Sequence, residues 1–313
     1  MKKWIIAIVA LLLLAFLSGF LLPARQSVRV AVPLDKSYVG MVRFLGQPET
    51  WSSWWPGETE RKPDGSLLLK EGDHWLVLFK TYDNLFRFDR MEHSTHAESL
   101  LQFSEDTTGK LLLEWKATLT AAANPIARWK IFRKSAELKK SFETRLTALT
   151  RFLSDEKNIY GFDIRLENVQ IEYLVSTSRT LNHSPSTDEV YQLVQAIQDH
   201  LAKKKTDAIA SPMLNITASG TDTFRVQVGI PIASKLPDEP PFYTKWMLKG
   251  GHILTTEVNG GPGRIREAQR QMELFIIDRH HTSIAIPFQS MITNRQQVTD
   301  TSQWKTKLFY PVI

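Results

Sequence analysis

Few side chains in this sequence have both the type and the spacing that chemistry requires. There is no cysteine, which removes disulfides, thiolate metal sites and thiol nucleophiles. His93 and His96 form an H-x-x-H pair, but a metal held this way needs helical i,i+3 geometry or further ligands. The surrounding run Arg90-Met91-Glu92-His93-Ser94-Thr95-His96 reads as a hairpin turn, so a solvated loop is expected there and no metal. No serine, histidine and carboxylate set is spaced as a nucleophilic triad, and no catalytic residue or cofactor is assigned. Residues suited to holding a molecule are easier to find. Trp51, Trp54 and Trp55 precede a Pro-Gly turn, Trp115 stands on a later strand, and Gln289 and Met291 are two apart near the C-terminus. Glutamine makes only neutral hydrogen bonds, each contributing about 0.5–1.5 kcal/mol net, and methionine offers a soft apolar wall.

With 313 residues the chain is long enough for a membrane segment and two ordinary domains. A hydrophobic fraction of 42% with 23% charged residues excludes a disordered chain. The net charge of +6 is not gathered into a stripe. Lys203-Lys204-Lys205 falls at an expected helix end, where cations favour the dipole. With no zinc-finger spacing and no helix-turn-helix pattern, nucleic acid is not an expected partner.

Residues 4–22 carry no charge and as a helix span roughly 28 Å, about one bilayer core. Lys2 and Lys3 favour a cytoplasmic N-terminus. A cleaved signal peptide is the rival reading, but the apolar run is long and Pro23-Ala24-Arg25-Gln26 is a poor cleavage site. Residues 1–25 are therefore expected to be an uncleaved single-pass anchor in the cell membrane. Residues 26–313 would lie outside the cytoplasm, in the periplasm if the cell is Gram-negative.

The elements that must position the aromatic residues follow. In residues 26–155, an alternating strand at 27–32 leads to a helix over 36–45 capped by Asp35, then the aromatic loop 51–57. Strands are expected near 66–71, 74–80, 84–92, 97–104 and 110–119. A long helix over 126–154 closes the part, with Phe132, Phe142, Leu146, Leu149, Phe152 and Leu153 largely on one face. Trp51 to Gly57, Leu112-Leu113-Glu114-Trp115 and Asn124-Pro125-Ile126-Ala127-Arg128-Trp129, in this order of elements, resemble the START-like helix-grip fold of polyketide cyclase/dehydrase (SRPBCC) type. The resemblance implies a hydrophobic cavity between a curved sheet and the long helix, with Trp54, Trp55 and Trp115 as its lining. Core packing is the alternative role of these tryptophans.

In residues 158–313, strands at 160–164 and 169–175 are followed by a turn, a helix over 188–204 capped by Ser186 or Thr187, and strands at 213–217 and 224–231. The order then recurs: strand 252–258, glycine turn 260–263, helix 264–278, strands 285–291 and 305–312. Two such units make an antiparallel sheet with both helices on one face, and a cleft is expected on the opposite face.

Val228-Gly229-Ile230-Pro231, Lys249-Gly250-Gly251-His252, Asn259-Gly260-Gly261-Pro262, Trp304-Lys305-Thr306-Lys307 and Tyr310-Pro311-Val312 resemble the gyrase-inhibitor-like, SOUL-related effector-binding domain that also occurs on bacterial multidrug-sensing transcription regulators. In that family a late strand commonly presents a glutamate and, two residues on, an aromatic side chain toward the cleft. Here the register offers Gln289 and Met291 instead. Trp246, Tyr173, Val226 and Val228 are the further expected liners, by strand position. Glu257 and Glu273 are not expected on the cleft face.

The expected fold class is thus α+β: a transmembrane helix, a helix-grip domain and a duplicated β-α-β-β domain. The expected function is non-catalytic binding of a hydrophobic or amphipathic small molecule, for sensing or sequestration. Two alternatives stand beside it: a hydrolase like those known in the effector-binding family, which Gln289 disfavours because it cannot act as a base, and a scaffold with collapsed pockets.

Overall fold

The computed structural model describes residues 2–90, 98–107, 110–220 and 222–313, and the His93/His96 pair lies outside the described residues. Helix α1 (Lys2–Ser18) continues through a 3-10 turn (Gly19–Leu21). Together they form the one described helix long and apolar enough to cross a membrane, Lys2–Leu21. The chain divides into two compact units, Met1–Asp155 and Glu156–Ile313.

The first unit is built on a seven-stranded antiparallel sheet. After strand β1 (Arg25–Leu34) come helices α2 (Tyr38–Leu45) and α3 (Pro48–Trp54), then strands β2 (Thr59–Arg61), β3 (Leu67–Glu71), β4 (His74–Tyr82), β5 (Leu85–Arg90), β6 (Ser99–Glu105) and β7 (Leu111–Thr120). The strand order is β1-β7-β6-β5-β4-β3-β2, so the first strand closes onto the last and the rest form a meander. Two local expectations are corrected. The cap of α2 is Ser37, whose Oγ accepts from Gly40 N at 2.9 Å, not Asp35. The aromatic segment is a short helix, not a loop: Pro48 occupies its first turn, where a missing N–H costs nothing. That helix places Trp51 and Trp54 one turn apart, both buried.

The long helix α4 (Pro125–Leu153) starts at Asn124, whose Oδ1 accepts from Ala127 N at 2.7 Å. Phe142, Leu146, Leu149 and Leu153 form its buried stripe. Phe132, expected on that face, is exposed; after Pro125 at the start of α4, the next buried side chain is Phe142.

The second unit begins with a short helix α5 (Lys157–Tyr160), and the strand expected over 160–164 does not form. Gly161 ends it in the left-handed region, at φ 72°. Tyr160, Phe162 and Ile164 still alternate inward and join one core, so the period-2 pattern reports burial here, not strand pairing. Strands β8 (Arg165–Asn168) and β9 (Tyr173–Leu181), helix α6 (Thr187–Lys203), strands β10 (Met213–Ala218) and β11 (Phe224–Ile232) and edge strand β12 (Tyr243–Trp246) follow. Then come β13 (His252–Asn259), helix α7 (Pro262–Asp278), β14 (Phe288–Met291) and β15 (Lys305–Pro311).

Their order in the eight-stranded antiparallel sheet is β12-β9-β11-β10-β14-β15-β13-β8. It reads the same from either edge: β9-α6-β10-β11 and β13-α7-β14-β15 are equivalent units that meet where β10 pairs with β14. Ser186 and Glu189 close a full capping box at the start of α6. At the start of α7, Gly260 has φ 129°, and a Cβ on Gly261 would lie 2.7 Å from Thr301 Oγ1. The consecutive glycines thus permit both the turn and the close approach.

Each helix buries an apolar stripe on its own half of the sheet. Val190, Val194, Ile197 and Leu201 of α6 pack on Val226, Val228 and Ile230, and Ile265, Ala268, Met272 and Phe275 of α7 pack on Leu254, Val258 and Leu308. Cross-strand partners point to the same side, and the registers Leu214↔Val228, Leu214↔Gln289 and Gln289↔Leu308 link the two sets. Both helices therefore lie on one face, as expected.

Candidate functional site

Because α6 and α7 cover the outer strands, the central pair β10 and β14 is left uncovered between them. A cavity of about 570 Å³ occupies that space, lined among others by Val190 and Tyr191 of α6, Leu214 and Ile216 of β10, Gln289 and Met291 of β14, and Ile265 and Glu273 of α7. It lies on the helix-bearing face. The cleft expected on the opposite face is corrected accordingly: the open space follows from where the helices stop.

Gln289 and Met291 come together in this cavity, at 9% and 2% exposure. The other expected liners do not join them. Val226 and Val228 share the face but are sealed beneath the apolar stripe of α6. Tyr173 pairs with Trp246 at the outer edge, where Trp246 is exposed. Neither borders the cavity, since two strands, β11 and β10, separate β9 from β14.

Among the described residues, three charged side chains line the cavity: Arg266, Glu273 and Arg295. Arg295 stands on the turn between β14 and β15. Its Nη2 donates to Gln289 Oε1 at 3.0 Å and to Thr306 Oγ1 at 2.9 Å. Its guanidinium lies over the Trp304 ring, 4.7 Å from the centroid. Its backbone N–H donates to Tyr191 Oη at 2.7 Å, which ties the turn to α6. Burial lowers the pKa of Arg295 from its ordinary value. Among the described residues, no carboxylate pairs with it.

Glu273 faces the same space from α7, and Tyr310 Oη donates to its Oε1 at 3.4 Å. Burial, and secondarily the Glu273 charge, push the Tyr310 phenol well above its ordinary range. The expectation that Glu273 stays off the cavity wall is thus corrected, for the cavity is on the helix side. Glu257 does not border it.

In the first unit Trp54, Trp55 and Trp115 are buried, and aromatic rings fill the space between sheet and helix. Phe88 lies 4.7 Å from Trp115, and Trp115 stacks on Phe142 at 5.3 Å with a 13° interplanar angle. Of the three expected cavity liners, Trp55 borders an open space of about 670 Å³, whose walls also include the charged side chains Glu58, Lys70, Glu71, Glu137, Lys140 and Arg145. Arg145 caps the aromatic cluster, 4.8 Å from the Trp115 centroid, and is paired with Glu71. No group of His, Asp and Glu among the described residues could hold a metal ion.

No protein-family model matches the chain, and no curated protein matches it. Solved structures align with about half of it. The C-terminal domain of EcmrR aligns at 13% identity over 49% of this chain and 98% of its own, with a TM-score of 0.42. A putative bacterial transcription regulation protein from Staphylococcus aureus aligns at 12% identity over 49% of this chain and 99% of its own, with a TM-score of 0.31. A hydrolase from Listeria innocua aligns at 12% identity over 52% of this chain and 98% of its own, with a TM-score of 0.36.

Sequence reasoning missed Arg295, Arg266 and Tyr191 as liners. Thr293-Asn294-Arg295 looks like any polar turn. Its one usable signal is that it immediately follows a strand whose inward residue is a buried amide.

Proposed function

We propose that the chain is a membrane-anchored small-molecule-binding protein, with an amphipathic ligand held between α6 and α7 of its second unit. The observation that carries this reading is the open space of about 570 Å³ over the central strand pair. It is within the size range of ligand sites and combines apolar walls with a few converging polar groups. In this reading the second unit is an effector-binding domain of the gyrase-inhibitor-like kind, Gln289 and Met291 are ligand contacts, and the Lys2–Leu21 helix holds the protein in the cell membrane with residues 26–313 outside the cytoplasm. The first unit, taken as a START-like domain, acts as a scaffold, since aromatic rings occupy the space where a lipid would sit. Native mass spectrometry of the full chain released from nanodiscs tests the reading. A co-purified small molecule that is lost when Leu214→Trp fills the cavity floor is the expected result.

One observation favours a second reading, that of a hydrolase. Glu273 supplies the carboxylate that Gln289 cannot, with Tyr310 beside it. That reading requires turnover of a model ester that survives Gln289→Ala and disappears in Glu273→Gln. Absence of turnover in the unaltered protein rejects it.

A further inference from the structure

Arg295, which lines the cavity, differs from two other guanidiniums held largely out of water. Arg145 is paired with Glu71, and Arg279 with Glu156. Arg295 instead meets only neutral oxygens, Gln289 Oε1 and Thr306 Oγ1. Both hydrogens of Nη2 are used by these two acceptors. Nε is buried and has no partner, and Nη1 donates to no described residue. A cation removed from water is costly unless an anion joins it.

The surroundings keep this positive charge in place. Trp304 holds the guanidinium plane from one side. The first turn of α7 borders the same cavity through Pro262, Ile265 and Arg266. That turn has no side-chain cap and no acidic residue, so its free N–H groups add to the positive potential. At the start of α6, the nearby Glu189 is already taken up by Ser186 in the capping box, and Asp188 by Gln296 at 3.4 Å. Glu273 is the one carboxylate lining the cavity among the described residues, and it is engaged by Tyr310.

We infer that the cavity between α6 and α7 selects a carboxylate carried on an apolar body, with Arg295 as its counter-ion and Gln289 as the neutral group that positions Arg295. This rests on the binding reading above and names the ligand class. A guanidinium fork is matched in shape and charge to a carboxylate. Glutamine holds the fork by an amide oxygen without neutralising it. A glutamate at the same position would hold it equally well, but would itself be the counter-ion and close the site to anions.

The test uses the full chain in detergent micelles, titrated calorimetrically against three probes of nearly one shape: phenylbutyrate, phenylbutylammonium and phenylbutanol, with protein-free micelles as the blank. The expected result is that phenylbutyrate binds about tenfold or more tighter than the other two, the difference a charge-assisted hydrogen bond supplies. Arg295→Gln and the near-isosteric Gln289→Glu should each abolish that preference while still binding phenylbutanol. Equal affinity for all three probes, or preference for the ammonium, overturns the anion assignment and leaves the cavity reading standing. Failure of all three to bind overturns both. A preference for phenylbutyrate that persists in Gln289→Glu overturns the role given to Arg295 and Gln289.

Discussion

Arg295 spans the strand pair β14 and β15: one nitrogen, Nη2, donates to both Gln289 Oε1 and Thr306 Oγ1, at 3.0 and 2.9 Å. Met291 pairs with Thr306 across the same two strands, so the guanidinium bonds to both strands at once. Thr306 is fully buried, and its hydroxyl has this one charged donor. Thr306→Val keeps the shape of the side chain and removes the acceptor. Leaving a donor of Arg295 unsatisfied costs about 1–3 kcal/mol. Urea unfolding of the full chain in micelles should show a lower midpoint with an unchanged slope.

In the first unit the core is aromatic where a START-like fold would carry a cavity. Phe142 is fully buried and stacks on Trp115. Truncating it leaves a hole between flat rings that cannot close around it. Phe142→Ala should destabilise this unit by about 3–5 kcal/mol, read from the denaturation midpoint of tryptophan fluorescence, to which Trp51, Trp54, Trp55 and Trp115 contribute. A variant that loses less than this and gains affinity for an apolar probe would show that the space can serve as a pocket.

On α7, Glu267 is held at a pKa of about 2, first by the Arg270 guanidinium and then by the Gln271 amide, against an ordinary value of 4.5. Its folded-state value is depressed, so the stabilisation it contributes is present above the ordinary value and is lost as pH falls toward about 2. Carboxyl carbon chemical shifts followed by NMR through this range should give that low midpoint. Arg270→Gln should raise it, and added salt should weaken the effect because Arg270 is exposed and Glu267 partly so.

In the anchored reading proposed above, Lys2 and Lys3 at the start of the apolar helix Lys2–Leu21 favour a cytoplasmic N-terminus by the positive-inside rule. Alkaline phosphatase fused after Ile313 should be active in a bacterial host, and a fluorescent protein fused at the same point should be dark. The reverse pair of results would reject an extracytoplasmic location for residues 26–313.

Much of the second unit was legible in the sequence. The duplicated strand–helix–strand–strand order came from periodicity and from the glycine turns, and the ladder order of the eight-stranded sheet agrees with it. Hydrophobic period is a local property, and so is a capping box. Both are visible in a few consecutive residues, as with Ser186 and Glu189. The same locality misled at residues 160–164, where alternation marks burial against α7 without a pairing partner.

Gln289 and Met291 could be placed on one face from their spacing alone, because side chains alternate along a strand. Which face held the open space could not, since that depends on how far α6 and α7 reach over a sheet assembled from strands distant in sequence. The same long-range packing sealed Val226 and Val228 beneath α6, brought Glu273 beside Tyr310, and set Arg295 on Trp304. The amino-acid sequence by itself determined most of the elements, the repeat in the second unit and the neutral amide at position 289. Only the tertiary structure decided that this amide holds a cation, because the partners of Arg295 come from two strands, a helix and a turn that meet only when the sheet is formed.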